Sequence, residues 1–270
     1  MMHILSSLGE DFRALWSLRR LVGVLTRREF EARNAGSVGG ILWAWLPPLL
    51  TVFAYYLVFD VVFSMRLGEH APTSRVGAYL IVGMLPWMAF ADATQRGMSS
   101  LLDAGGMLQK NPLPPAIFPA RAVLASTLVF SPLVLLLIPI YTPAHHFGLG
   151  VTAVLPLYAL QVLLCFLLAY FLAIFAAALR DVVQVVGFLL SIGIFLSPVL
   201  FPVTMFPEPW RWVLWLNPMS AFVMGYQSAL LQGMWPPAEV WGVVAIWLSA
   251  LGLVLNMALS RSRDQLVDWL

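Results

Sequence analysis

The stretch VTAVLPLYALQVLLCFLLAYFLAIFAAAL, Val151 to Leu179, runs for 29 residues without a formal charge. About 20 apolar residues, rising 1.5 Å each, cross the ~30 Å hydrocarbon core of a bilayer. The run is therefore long enough to span a membrane and too apolar to face water. Working outward from it, further apolar stretches lie at about 41–65, 76–98, 116–141, 182–200 and 239–259. Six such runs predict an all-α polytopic membrane protein with six transmembrane helices. Charged residues make up 10% of the 270 positions, against about 25% in soluble domains, and the remaining segments are too short for a separate catalytic domain. The expected organisation is an N-terminal amphipathic segment, 1–36, and a single membrane domain, 37–270.

The basic residues set the orientation. Twelve of the fifteen fall on the side that carries the N-terminus, and only Arg66, Arg75 and Arg211 fall on the other. The positive-inside bias then places both termini in the cytoplasm and demands an even number of crossings. The segment 201–235 is long enough for a seventh crossing, but parity forbids one. Asn217-Pro218 interrupts it, and a residue before proline is driven out of helical geometry. A re-entrant hairpin of two short helices is expected there, dipping in from the outer face and returning. Non-helical backbone at that depth must be buried in protein or line a water-filled cavity.

Ahead of the first run, Leu8, Phe12, Leu15, Leu18, Val22 and Leu25 recur at three- and four-residue steps, with Arg13, Arg20, Arg27 and Glu31 on another face. This predicts an amphipathic interfacial helix with Trp16 as an anchor, the alternative being a helix packed on a partner. The first long apolar run begins near Ile41 behind six arginines, which fits an uncleaved signal anchor.

Candidate chemistry is sparse, and that is informative. The one lysine, Lys110, lies in Leu108-Gln109-Lys110-Asn111-Pro112, which is no phosphate-binding P-loop, so ATP hydrolysis is not expected in this chain. His145 and His146 have no third ligand at metal spacing, and Cys165 is expected to pack. Asp60, Asp92 with Arg96, and Arg180-Asp181 all fall toward helix ends, Asp92 and Arg96 being able to pair at i, i+4. No acid is left mid-membrane to couple an ion gradient, and energy must come from elsewhere. The loop 101–115 joins a short helical part, containing Leu101, Leu102, Asp103, Met107, Leu108, Gln109 and Lys110, to a stiff proline run that a cytoplasmic partner could grip. Tyr55, Tyr56 and Phe59 within the first span, and Trp210, Trp212 and Trp215 at the start of the re-entrant segment, offer rings with polar handles along which sugars could slide. Helix packing and an interfacial aromatic belt are the competing readings.

Several segments together resemble the permease subunits of type-2 ABC exporters for polysaccharides, the O-antigen, capsule and teichoic-acid group. They are Arg28-Glu29-Phe30-Glu31-Ala32-Arg33, Ser37-Val38-Gly39-Gly40-Ile41-Leu42-Trp43-Ala44-Trp45-Leu46-Pro47-Pro48, Gly83-Met84-Leu85-Pro86-Trp87-Met88-Ala89-Phe90, Arg180-Asp181-Val182, Leu196-Ser197-Pro198-Val199 and Leu216-Asn217-Pro218. The family often carries a pair of lysines before the Phe-Pro of span 3, where this chain has Lys110 alone.

The resemblance implies a homodimeric channel in the bacterial inner membrane, driven by two separate ATPase subunits that bind ATP and Mg. It implies no cofactor in this chain and no nucleic acid, and it implies a lipid-linked polysaccharide as cargo. A pyrophosphate-linked substrate would meet Arg27, Arg28 and Arg33 on its way in from the inner leaflet, since arginine pairs phosphate oxygens through two donors. Attraction to anionic lipids is the simpler account of the same residues. An ABC permease for drugs or small lipids is the alternative function. A membrane-embedded glycan- or lipid-modifying enzyme is a third, disfavoured because no acidic or histidine cluster appears at the membrane face.

Overall fold

The computed structural model describes residues 7–33, 36, 39–40, 42–64, 66–68, 71–108, 113–141 and 148–262. Among them all regular structure is helical, apart from one isolated antiparallel bridge between Arg66 and Arg75. Five helices are long and apolar enough to cross a membrane. They are α3 (Leu42–Tyr55) with a π-helical extension over Tyr56–Val62, α4 (Val76–Asp103), α6 (Ile117–Tyr141), α7 (Val154–Ala178) with a 3-10 lead-in over Leu149–Ala153, and α11 (Ala238–Ser262). The ends of the bundle are called here the near side, which carries α1 (Ser7–Ser17), α2 (Arg19–Ala32) and the four-residue α5 (Gly105–Leu108), and the far side.

The core is built around α4. Its 28 residues run about 42 Å, and it is packed by α6, α7 and α10 (Pro218–Leu231). Small residues permit this: a Cβ at Gly97 would lie 2.6 Å from the Ala169 methyl and 3.1 Å from Val123 Cγ2. Close approach of backbones is the main source of helix association in a solvent as apolar as the side chains. Polar groups tie the same faces together. Gln161 of α7 donates to the Pro86 carbonyl at 2.8 Å and accepts from the Tyr226 hydroxyl at 2.8 Å, all buried.

The run 182–200 forms a shorter helix than expected, α8 (Val182–Gly193), followed by turns over 194–200. Pro198 lacks an N–H and excludes its predecessor from helical geometry. The segment nevertheless follows α4. Gly187 lies against Gln95, Gly193 against the Trp87 ring and Val199 against Gly83, while the Pro198 and Phe201 carbonyls accept from the Tyr79 hydroxyl at 2.6 and 3.1 Å. From Gln95 back to Tyr79 is about 24 Å of helix.

Beyond Phe201, the expected pair of short helices is half realised. The first limb is two 3-10 turns, Val203–Met205 and Glu208–Trp210, and the four-residue α9 (Trp212–Trp215), because Pro202, Pro207 and Pro209 withdraw donors a helix needs. The second limb, α10, is a proper helix capped by Asn217, whose Oδ1 accepts from Met219 N–H at 3.0 Å with Pro218 at the first helical position. The Asn217 amide also donates to the Gly193 carbonyl at 2.9 Å, at the level of Trp87, and Leu231 lines the same far-side cleft as Ala78.

The N-terminal region differs from the single interfacial helix expected. The chain breaks at Leu18 (φ −96°, ψ 17°), giving α1 and α2, and the residues turned inward are Ser7, Asp11, Val22 and Thr26. α1 is docked by polar bonds: Ser7 Oγ and the Leu8 N–H donate to Asn256 Oδ1 at 2.7 and 3.1 Å, and the Tyr170 hydroxyl donates to Asp11 Oδ2 at 2.9 Å. Such bonds hold well where water cannot compete, so α1 is part of the bundle. Phe12 adds an edge contact with Phe166, ring centroids 5.7 Å apart.

Candidate functional site

On the near side the chain passes from α2 to α3 through Arg33, and this residue organises a site. Its side chain is only 8% exposed. One guanidinium nitrogen lies 3.3 Å from Asp92 Oδ2, and the other donates to Ser126 Oγ at 3.0 Å and to the Ala122 carbonyl at 3.3 Å. The remaining donor, Nε, is buried without a hydrogen-bond partner. Asp92 also accepts from Arg96 Nε at 2.8 Å and from Ser126 Oγ at 2.6 Å, so the i, i+4 pair read from the sequence is present. Burial lowers the pKa of Arg33 from its usual value, with Asp92 pulling the other way. Two guanidiniums thus share one carboxylate.

Arg33, Asp92 and Arg96 border a cavity of about 460 Å³ that Trp43, Pro47 and Pro48 close from α3. The two prolines withdraw the donors that would pair the Trp43 and Ala44 carbonyls. A net positive, partly apolar pocket at this level can accept an anionic group from a membrane leaflet. Arg27 and Arg28 are exposed on α2, with Arg27 paired to Glu31 at 2.7 Å. The three arginines singled out in the sequence are therefore in two settings: Arg33 is inside the bundle and the other two lie on its surface.

The aromatic residues are also divided. Tyr55 and Phe59 stack on each other, centroids 5.8 Å apart and planes within 12°. Tyr56 faces instead a cleft of about 790 Å³ between α3, α4 and α6. These residues fall at or in the π-helical turn, a wider helical geometry often found at functional positions. Asp60, in the same turn, accepts from the Gly77 N–H at 2.9 Å and so satisfies one of the orphan donors at the start of α4. Trp210 and Trp212 are exposed, and Trp215 packs on the core with its carbonyl taking the Trp247 indole N–H at 3.2 Å. None of the three lines the cleft that Tyr56 faces.

In the loop 101–115, α5 is short and half tucked in. Leu101 and Leu108 are buried, Leu102 is half-buried, and Asp103, Gly106 and Met107 are exposed. Gln109 and Lys110 lie outside the described residues, as do His145 and His146. The sequence reading missed Asp11, Ser126 and Asn256. The available signal was a polar residue recurring inside an otherwise apolar face.

Residues 20–231 match the model of the family described as ABC-2 type transporter. The chain is 32% identical over 255 residues to the O-antigen export system permease protein RfbA of Myxococcus xanthus, covering 92% of this chain and 93% of that one. It is 24% identical over 219 residues to the protein of the same name from Klebsiella pneumoniae, with 79% and 81% covered. It is also 23% identical over 248 residues to the polysialic acid transport protein KpsM of Escherichia coli, with 90% and 93% covered.

Proposed function

The chain belongs to the ABC-2 type transporter family, and we propose that it is the membrane-spanning permease subunit of an exporter that carries a lipid-linked polysaccharide across the bacterial inner membrane. The observation that carries this reading is the near end-to-end likeness to an O-antigen export permease. The cargo is of the O-antigen, capsule or teichoic-acid type. The permease does no hydrolysis of its own; two ATPase subunits, holding ATP and Mg, supply the work, and they dock at the end of α4 and the exposed surface of α5, at Asp103 and Met107, together with Gln109 and Lys110, which follow in sequence.

In this reading α8 and the turns after it make the sixth crossing. Support comes from the segment's course along about 24 Å of α4. The stretch 201–235 is the re-entrant hairpin, a reading supported by the bond that sets Asn217 beside Gly193, part-way down α4, and by Leu231 lining the same cleft as Ala78. Six crossings leave both termini on the near side, which the arginine bias makes cytoplasmic.

Two copies form the channel. The exposed apolar residues of α8 and of the extension of α3, such as Val61, Val62, Phe188 and Leu189, mark the faces available for pairing. Tyr55, Tyr56 and Phe59 line the path of the glycan, and Trp210, Trp212 and Trp215 receive it on the far side. Arg27 and Arg28 attract the lipid phosphate and the cavity beside Arg33 and Arg96 holds it. Deleting the gene should abolish the surface polysaccharide and leave lipid-linked polymer inside, with a plasmid copy restoring export. If the polymer still reaches the surface while sensitivity to hydrophobic drugs rises, the reading gives way to a drug or small-lipid permease.

A further inference from the structure

The cleft between α3 and α6 has the layout of a binding site for a single membrane lipid. Its walls are apolar, with Phe53 on α3 and Leu133 on α6, and its lining on α4 extends from Arg75 down to Leu85. Ten residues of helix are about 15 Å, half of the ~30 Å hydrocarbon core. The cleft is thus one leaflet deep, with room for about two dozen water-sized groups in its 790 Å³. That matches one acyl chain of a glycerolipid and is too short for a long polyprenyl tail.

The mouth carries charge. Arg66 and Arg75 oppose each other in the antiparallel bridge, and the flanking bond from Leu67 N–H to the Ser74 carbonyl makes them a non-hydrogen-bonded pair. In such pairs the Cα atoms are about 4.5 Å apart and the side chains leave the same face. Like charges directly opposite repel, and an anion between them relieves the repulsion. Both arginines are exposed, and among the described residues the one carboxylate lining the mouth, Asp60, already accepts from Gly77 N–H. The positive-inside bias disfavours arginine on this side of the membrane, yet of the three found there Arg75 lines an acyl-sized slot and Arg66 is its partner in the bridge.

We propose that this cleft binds an anionic glycerophospholipid from the far-side leaflet, with its phosphate beside Arg75 and Arg66 and one acyl chain between α3 and α6 along Phe53 and Leu49, while the exposed part of Tyr56, one turn from Asp60 at the mouth, is left to the glycan. The lipid fills the gap left by the sparse packing of α3, so this helix can shift without opening a void.

The test uses the full-length protein in nanodiscs of phosphatidylcholine, doped with either phosphatidylglycerol or phosphatidylcholine carrying a photoactivatable acyl chain. Adducts on peptides containing Phe53 and Leu133 are expected to favour the phosphatidylglycerol probe by on the order of tenfold, because the arginine pair attracts an anionic headgroup and not a zwitterionic one. The exposed-site double variant Arg66→Gln with Arg75→Gln should bring the two probes to parity. Equal labelling by both probes in the parent protein overturns the proposal. So does efficient copy-to-copy crosslinking through a cysteine at Phe53 with no lipid adduct, which would give the cleft to a second subunit. Both readouts are independent of polysaccharide export.

Discussion

Helices α3 and α4 have nearly the same hydropathy and opposite fates. Of the most apolar stretch of α4, 83% is buried inside the bundle; of that of α3, only 6% is. In water such a difference would follow from composition. In a bilayer it cannot, because lipid is as good a solvent for leucine as another helix is. What separates the two is close approach and polar bonding. α4 offers Gly83 and Gly97 to its neighbours and Tyr79 and the Pro86 carbonyl to buried hydrogen bonds. α3 opens with Trp43-Ala44-Trp45-Leu46-Pro47-Pro48, too bulky to approach closely, and its polar ties are few, among them the Trp45 indole to the Val129 carbonyl at 2.9 Å and Asp60 to Gly77 N–H. One helix is the frame, and the other is held at its ends.

The largest effect should come from filling the space at Gly97. Gly97→Leu places side-chain atoms where Ala169 and Val123 already are, and overpacking of this kind costs about 1–3 kcal/mol or more. Leu50→Phe on the exposed face of α3 should change stability by no more than ~0.5 kcal/mol. Thermal unfolding in detergent, followed by tryptophan fluorescence, compares the two. Similar melting of both variants would mean that burial of α4 is not what holds the bundle.

A loss no larger than this is expected where the end of α2 meets α4 through the Arg33–Asp92 pair. Asp92→Asn leaves the Arg33 guanidinium buried with its carboxylate gone; removing one partner of a fully buried pair costs 3–5 kcal/mol, and because Asp92 is 26% exposed about 2 kcal/mol is expected. Arg96→Gln, at an exposed site, should cost less than ~1 kcal/mol. If both variants lose the same amount, Arg33 is not anchored through Asp92.

Accessibility at the near end of α4 sharpens the contrast without touching stability. A cysteine at Met107 should crosslink to the ATPase and one at Leu108 should not, since Met107 is exposed and Leu108 is buried. Equal crosslinking from both would place the dock elsewhere.

Much of the frame is legible in the sequence, because the length of an apolar run is fixed by bilayer thickness. The runs from Val76, Ala116, Val151 and Glu239 became α4, α6, α7 and α11, with ends within a few residues except that α4 continues to Asp103. Hydropathy carries no information about hydrogen bonding, and for this reason the run 182–200 read as one helix although Pro198 ends it early. At the N-terminus periodicity found the helices and the packing of Leu8, Leu15 and Val22 but was incomplete for a related reason. It ranks faces by apolarity, whereas α1 docks through Ser7 and Asp11 onto Asn256 and Tyr170. The arginines were legible as a cluster, but not that Arg33 turns inward, because Ser126 and Asp92 are 93 and 59 residues away in the chain.

The smallest effect on stability, and the one most telling for transport, should be at Tyr56. Its ring is 46% exposed and faces the cleft beside α3 rather than the core, so Tyr56→Ala gives up little buried area and leaves α4 and its partners undisturbed. If sugar rings stack on this side chain during passage, losing it removes about 0.5–1.5 kcal/mol of contact, or roughly two- to tenfold in export rate. Tyr56→Phe keeps the ring and should export at close to the parent rate, whereas a role for the hydroxyl would make it resemble alanine. Tyr55 supplies the comparison, since it stacks on Phe59, and Tyr55→Ala should lower the melting temperature as well as slow export. Pulse-labelled polymer appearing at the cell surface, measured beside melting temperature for each variant, separates the outcomes. Unchanged export by Tyr56→Ala at normal protein yield would take the glycan path away from the cleft side of α3.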